Sequence, residues 1–469
     1  MRQSHRLVPT MFFWASLLTA PSAVMAAEDS PSTPVPGTDA SALTETTPAA
    51  ENPVLTASPS NSLEQTLGLR FYGDVRFRFT YMVQGQDYAP TDNSSTPLWI
   101  DHEVNYRIRT RLGVDKSFGE DVQAGLCLIS SGNGDPTDPY WTLSGGGTFL
   151  GVGLDQAYIT WTPRFLDHQL TLSLGKFVNP LTYTPITWDE NVTPEGMALQ
   201  YKTAKGPQFT LLYFRLVDNG PATIEGAGAD PFMADFQIQQ KFNVADAQVA
   251  LTAGYQYISN VASFETGDAG VTSYLNNPAN PPGAPLSITA KGMVGDQTNG
   301  DQIPDMHVVE GILNISHTIG EEKIPVLWTF HAALNLTSFN ITALTNANVA
   351  VNNPTLNDTN NLALFAGLQV GKVLHAGDWA GGLQWAYIDP DAVFSAFNDP
   401  NPGVAGHNNN TWFMGQVQLG LEEGLSLTAM QYVDWRTDYD VFATAPTNVF
   451  GTTSRDPILQ TLVDVTASF

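Results

Sequence analysis

Residues Glu103–Asp115 read EVNYRIRTRLGVD, and two incompatible chemistries alternate along them one residue at a time. Val104, Tyr106, Ile108, Leu112 and Val114 fall on one face, with Thr110 the single exception there. Glu103, Asn105, Arg107, Arg109, Arg111 and Asp115 fall on the other. A period of two marks a β-strand whose sides meet different solvents. The strand predicted before it, Leu69–Val83, sets Phe71, Val75, Phe77, Phe79 and Tyr81 against Arg70, Tyr72, Asp74, Arg76, Arg78 and Thr80. Side by side, the two strands share one strongly basic wall. A soluble sandwich also places apolar residues inside and charges outside, so the rest of the chain must decide.

The chain of 469 residues has no interior linker that would divide it, which favours one large architecture. Its formal charge is −26, and loss of an N-terminal segment carrying Arg2 and Arg6 takes it to −28. That argues against nucleic acid as a partner. Charged residues are only 14% of the chain, while Gly, Asn, Thr and aromatics are plentiful, a composition of strands and polar loops. The lone Cys127 rules out an internal disulfide and a cysteine-built metal site. Beyond the N-terminus no apolar run reaches the length of a transmembrane helix, but a spanning barrel needs apolar residues only at alternate positions.

Residues 1–26 read as a secretory signal: Arg2, His5 and Arg6 lead an apolar core around Met11–Leu18, and Val24-Met25-Ala26 supplies small residues for cleavage. Residues 27–67 are rich in Pro, Ser, Thr and Ala without apolar periodicity, and read as a disordered extension. Residues 68–469 are the expected barrel domain. Sixteen amphipathic segments begin near Leu69, Glu103, Val122, Val152, Gln169, Gly196, Phe209, Phe232, Ala247, Met306, Val326, Asn361, Trp379, Thr411, Leu425 and Ile458. The fourth and sixth alternate poorly. Short links near Ser117–Asp121, Pro163–His168, Ala204–Pro207, Asn243–Asp246, Gly320–Ile324, His375–Asp378 and Glu423-Gly424 alternate with eight long ones, among them Gly132–Gly151, Val178–Glu195, Val261–Asp305 and Pro390–Asn410.

An even number of strands, with both termini on the short-turn side, predicts an all-β, antiparallel, up-and-down transmembrane barrel with short periplasmic turns and long extracellular loops. A strand of about 12 residues at roughly 3.3 Å each, tilted by about 45°, spans about 28 Å, close to the apolar band of an outer membrane. The last strand alternates Leu459, Val463, Val465, Ala467 and Phe469 with Gln460, Asp464, Thr466 and Ser468, and the sequence stops at Phe469. A terminal aromatic on such a strand looks like the signal read by the barrel assembly machinery.

If the apolar face meets lipid, the arginines must meet water, because one Arg at the midplane on the lipid side costs about 2–4 kcal/mol. Six of the ten arginines beyond residue 26 lie between Arg70 and Arg111. Two readings stand. Arg76, Arg78, Arg107, Arg109 and Arg111 line a pore and guide anions, or they pair with Asp74, Glu103, Asp115 or loop carboxylates and only order the wall. The third long loop brings Asp189, Glu190 and Glu195, stiffened by Pro180, Pro185 and Pro194. Folded inward, it sets carboxylates opposite the arginines at a constriction.

These segments resemble outer-membrane porins, both the sixteen-stranded general porins and, more closely, a Gram-negative porin family. The resemblance rests on GDVRFRF from Gly73, NYRIRTRLGV from Asn105, SGNGDP from Ser131, LDQAYITW from Leu154, LGKFVNP from Leu174 and WDENVTPEGMALQY from Trp188. It covers roughly Leu69–Val217. It implies a passive diffusion channel in the outer membrane, trimeric, embedded in lipid and conducting small hydrophilic solutes or ions. The third loop then narrows the pore, with Asp189 and Glu190 opposite Arg76, Arg78, Arg107, Arg109 and Arg111. Lys176, just before the loop, is a further pore-lining candidate.

The remaining constellations are weak. The histidines stand in separate segments without HExxH or paired metal spacing, and no GxSxG occurs, so neither a metal, a cofactor nor a catalytic group is expected. Asp135, Asp138 and Asp399 read as turn residues more readily than as calcium ligands. The competing functions are a structural or adhesive barrel whose lumen is plugged, with Val261–Asp305 as the candidate plug, an outer-membrane hydrolase, and a secreted soluble β-protein.

Overall fold

The computed structural model describes residues 68–84, 101–130, 136–143, 151–203, 206–216, 231–259, 305–337, 361–389, 392–402, 408, 410–437 and 457–469. Their strands are β1 (Leu69–Gln84), β2 (Asp101–Phe118), β3 (Val122–Ser130), β4 (Trp141–Thr142), β5 (Val152–Trp161), β6 (Leu170–Lys176), β7 (Glu195–Lys202), β8 (Gln208–Arg215) and β9 (Phe232–Val244). They continue with β10 (Ala247–Ile258), β11 (Met306–Ile319), β12 (Ile324–Asn335), β13 (Leu362–Gly371), β14 (Trp379–Ile388), β15 (Asn410–Glu422), β16 (Leu425–Arg436) and β17 (Ile458–Ser468). All pairings are antiparallel, and β1 is bonded to both β2 and β17, so sixteen strands close into one ring. The two-residue β4 takes over the edge of β2 where β3 ends, pairing Arg107 with Thr142 and Ile108 with Trp141.

The sixteen segments expected from periodicity correspond one to one to the ring strands, each start displaced by two residues at most. Period-two alternation is legible because the two faces of a barrel strand meet different media. Phe71, Phe77, Tyr106, Leu112, Ile159 and Phe413 stand exposed on the outer surface, while Asp74, Arg78, Arg109 and Asp464 on the neighbouring positions are buried inside. The fourth segment, β5, alternates poorly because a register shift opposite Cys127 and Leu128 interrupts its pairing with β3.

Tight turns join strands at one end of the ring: Gly119–Asp121, Ala245–Asp246, Gly320–Lys323 and Glu423–Gly424. Gly119 holds φ +70°, which a side chain would strain. The signal, the extension, and the long loops at 85–100, 217–230, 260–304, 338–360 and 438–456 lie outside the described residues, including nearly all of the expected plug.

At the long-loop end the lumen holds an apolar core, which the alternation does not announce. Phe177, Leu181, Ile186, Trp188 and Val192 of one loop and Val393, Phe394 and Phe397 of another are buried together. They lie against inward residues of the strands, among them Leu212, Phe214, Met233, Phe365 and Trp412. The inward positions of the sixth segment, β7, include the small residues Gly196 and Ala198, with Ala198 in this core, and its polar signal is weak for that reason.

Candidate functional site

Strand alternation places arginines two apart, and the register then sets like charges across from one another, Arg76 opposite Arg109 and Arg78 opposite Arg107. Opposed like charges on neighbouring strands repel, so carboxylates must intervene. Asp464, directly across from Arg78 on β17, takes two bonds from it, at 2.8 Å each. Asp74 accepts Arg109 at 2.9 Å, Asp155 lies 3.0 Å from Arg111, Asp138 is 2.9 Å from Arg107 and Glu190 is 3.3 Å from Arg76. Towards the short-turn end Arg70 pairs with Asp115. The wall is therefore a lattice of ion pairs.

Three chain segments fold inward onto it. The first, residues 136–143, lays the Tyr140 ring 4.3 Å under the Arg78 guanidinium and 5.6 Å from that of Arg109, and its hydroxyl accepts Arg76 at 3.1 Å. Such stacking suits arginine because its planar cation is weakly hydrated.

The second is the third loop, residues 177–194. A buried loop must satisfy its own peptide groups, and this one does so with lumen side chains. Gln237 on β9 donates to the Thr182 carbonyl and accepts its N–H, both at 2.8 Å, as a strand partner would. The Thr184 hydroxyl lies 2.8 Å from His331 Nδ1, whose Nε2 meets Glu310 at 3.1 Å. The opposite end of the loop reaches the arginines. It is thus fastened to two sides of the ring.

The third segment, Ala392–Pro402, packs on the loop. Trp188 and Phe397 stack at 4.9 Å with planes 3° apart. Asp189 N–H donates to the Phe397 carbonyl, and Asp399 N–H donates to the Pro185 carbonyl at 2.9 Å. Both segments end in the same device. Asp189 Oδ1 accepts the N–H and side-chain amide of Asn191 at 2.7 and 2.8 Å, and Asp399 Oδ1 accepts those of Asn401 at 2.9 and 2.6 Å. Each asparagine turns its oxygen to the wall. Asn191 accepts Arg109 at 2.7 Å and Arg111 at 3.3 Å, and Asn401 accepts Arg78 at 3.0 Å.

The loop carboxyls differ in their titration. Burial pushes Asp189 well above the ordinary range, and the neighbouring Asp399 and Glu190 charges add to it. Burial likewise lifts Asp399 to about 6, against the pull of Asn401 and Arg78. Burial also raises Glu190, but Arg76, Arg109, Arg111 and Arg78 outweigh it and hold that carboxyl below its usual value. Glu190 keeps an exposed side on the lumen.

Of the residues singled out from sequence, Arg76, Arg78, Arg107, Arg109, Arg111, Asp189 and Glu190 come together here. Lys176 and Glu195 do not. They are paired in the β6–β7 ladder, on the face shared with Leu174, Met197 and Leu199, and bind each other at 2.7 Å on the outer surface. Residues opposite in an antiparallel ladder share a face, and Lys176 stands opposite Ala157 and Glu195 rather than a lumen residue. Sequence reading missed Asp138, Asp155, Asp464 and the Ala392–Pro402 segment. The apolar run Ala392-Val393-Phe394, repeated at Ala396-Phe397 inside a long loop, was the available signal. Among the described residues no group of three or more His, Cys, Asp or Glu is arranged to hold a metal ion.

Residues 79–221 match a protein family described as "Putative porin". That stretch contains β2, the third loop and three of the wall arginines. Among solved structures, OprB of Pseudomonas putida is similar with TM-score 0.49 and 12% identity, over 87% of this chain and 96% of that one. An anion-selective porin from Comamonas acidovorans gives 0.43 and 8%, over 86% and 99%. The outer-membrane channel DcaP of Acinetobacter baumannii gives 0.41 and 11%, over 86% and 97%. No curated protein sequence matches the chain.

Proposed function

We propose that this chain is an outer-membrane porin of a Gram-negative bacterium, a channel through which small hydrophilic solutes and ions diffuse passively. The observation that carries the reading is the closed ring of sixteen strands, apolar outside and charged inside, with the third loop folded into it. A ring of that size is too wide for wall side chains alone to fill. The inward segments take part of the space and leave a narrowed passage.

Selectivity in this passage is weak. Arg76, Arg78, Arg107, Arg109 and Arg111 each lie against a carboxylate, from Glu190, Asp464, Asp138, Asp74 and Asp155, so the wall has little uncompensated positive charge to favour anions. Assembly proceeds through the terminal Phe469 and yields a trimer, as the resemblance implies; unheated electrophoresis and light scattering in detergent test the trimer. Single-channel recording in a planar bilayer under a KCl gradient tests the function, with stepwise openings and a small reversal potential as the expected result.

A second reading has its own observation: the apolar core at the long-loop end is continuous across two inward segments, as in a plugged structural barrel. Folded, inserted protein that gives no openings would establish it.

A further inference from the structure

Between the arginine lattice and the short turns, two tyrosines lie flat on the inner wall of the barrel. Register sets Tyr72 of β1 opposite Gly113 of β2, and Tyr158 of β5 opposite Gly125 of β3. A Cβ on Gly113 would come within 2.7 Å of three carbons of the Tyr72 ring, and one on Gly125 would stand 2.6 Å from two carbons of the Tyr158 ring. Each ring therefore covers the glycine across from it, with one face on the wall and the other turned to the lumen. Gly113 stands opposite Cys127 and Asp115 opposite Gly125, so the two covered glycines are diagonal neighbours, about 7–8 Å apart. Asp115 lies between the rings with both oxygens engaged: Oδ1 accepts the Tyr158 hydroxyl at 3.0 Å, and Oδ2 accepts the Arg70 guanidinium. Asp115 is buried, whereas 61% of the Arg70 side chain is exposed, its guanidinium 5.7 Å from the centre of the Tyr72 ring.

We propose, building on the channel reading, that Tyr72, Tyr158 and Arg70 form a subsite in the passage for a neutral sugar ring. A pyranose presents a face of weakly positive C–H groups, which suits the negative face of a tyrosine ring, and a rim of hydroxyls, which suits the N–H donors on the exposed edge of the guanidinium. An uncompensated charge would select an ion. The Arg70–Asp115 pair instead offers hydrogen bonds without net charge.

The two glycines make this platform possible. A side chain at either position would lift its ring off the wall and stand it across the lumen. Laid flat, the rings leave the passage open and still give it two apolar faces. The parts also hold one another in place, since the Tyr158 hydroxyl fixes Asp115, Asp115 fixes Arg70 and the Arg70 cation lies beside the Tyr72 ring. The next inward pair along β1 and β2 is Asp74 opposite Arg111, where the ion-pair lattice begins. A solute held on the rings thus lies beside the narrowed passage and obstructs the ion current through it.

The test is single-channel recording of the full-length protein in KCl, with D-glucose or the acyclic polyol sorbitol added to both sides. The two solutes are close in size, but only glucose has a rigid ring with a C–H face. Wild type is expected to lose current to glucose along a saturating curve, and to sorbitol only in proportion to viscosity. Removing one ring face should weaken half-saturation roughly three- to tenfold, so Tyr72→Ala and Tyr158→Ala are each expected to move the glucose curve by that factor, while Tyr72→Phe, which keeps the ring, stays within about twofold of wild type. Equal, linear losses to both solutes in wild type overturn the subsite and leave the channel standing, as does a saturating glucose curve that neither alanine variant moves. Absence of openings in folded, inserted wild type overturns the channel reading and the subsite with it. Heat-dependent gel mobility establishes that each variant is folded; should the alanine variants not fold, the glucose–sorbitol contrast in wild type decides without them.

Discussion

Gly73 and Phe469 exchange both backbone hydrogen bonds, at 3.0 and 3.1 Å, across the seam where the last strand meets the first. A Cβ on Gly73 would come within 2.7 Å of the terminal ring and 2.3 Å of the Arg111 carbonyl, so the glycine is the seat of the aromatic. Gly73→Val is expected to destabilise the closed barrel by about 1–3 kcal/mol through overpacking. Phe469→Ala leaves the same seat empty. Both should lower the heat-resistant, fast-migrating fraction on unheated gels, and normal mobility for both would separate the seam from barrel closure.

The wall arginines should differ sharply in their effect on stability. Arg109 is fully buried, and its removal strands Asp74 without its cation and leaves Asn191 only its longer bond from Arg111. Arg109→Ala is expected to cost about 3–5 kcal/mol, the usual result of breaking one side of a buried pair. Arg107 and Asp138 keep about a quarter of their side chains exposed, and Arg107→Ala is expected to cost about 0–1 kcal/mol. Urea unfolding followed by gel mobility checks the order, and equal losses would argue that the lattice responds as a unit.

How much was legible follows from which constraints are local. Lipid on one side and polar surroundings on the other force period two along every strand, and that pattern located the ring strands within two residues. The arginine wall was legible for the same reason. Its partners were not, because a single inward carboxylate such as Asp155 or Asp464 looks like any other polar lumen residue until the register sets it beside an arginine. Lys176 was misplaced because a lysine at a strand end has no alternation beyond it to fix its face. The inward Ala392–Pro402 segment stayed hidden because loops carry no period. Only its unusual run of buried apolar residues distinguishes it from a surface loop.

Trp188 holds the two inward segments together by its stack on Phe397 and its contact with Phe214. Trp188→Ala removes one of the largest fully buried side chains, a change that typically costs about 3–5 kcal/mol. The ring strands do not depend on this contact, so the loss should fall on the joint. Larger, noisier openings with unchanged barrel mobility are expected. An unaltered conductance would show that the joint does not limit the passage.

Glu190 is the carboxylate of the cluster that keeps an exposed face on the lumen while lying 3.3 Å from Arg76. Glu190→Gln removes a negative charge from the passage and leaves Arg76 less compensated, so the reversal potential in a KCl gradient should move toward anions. Lys176→Ala, on the outer surface, should leave it where it is. The shift should also be reproduced in wild type by acid, but late: with its pKa held below the ordinary value, Glu190 stays charged as pH falls past the point where a free glutamate is half protonated. Recording the reversal potential of wild type and Glu190→Gln over the same acid range resolves the two. If the wild-type shift appears already in the ordinary glutamate range, the arginines do not hold Glu190 ionised in the conducting channel, and its assignment as the carboxylate that balances Arg76 is wrong.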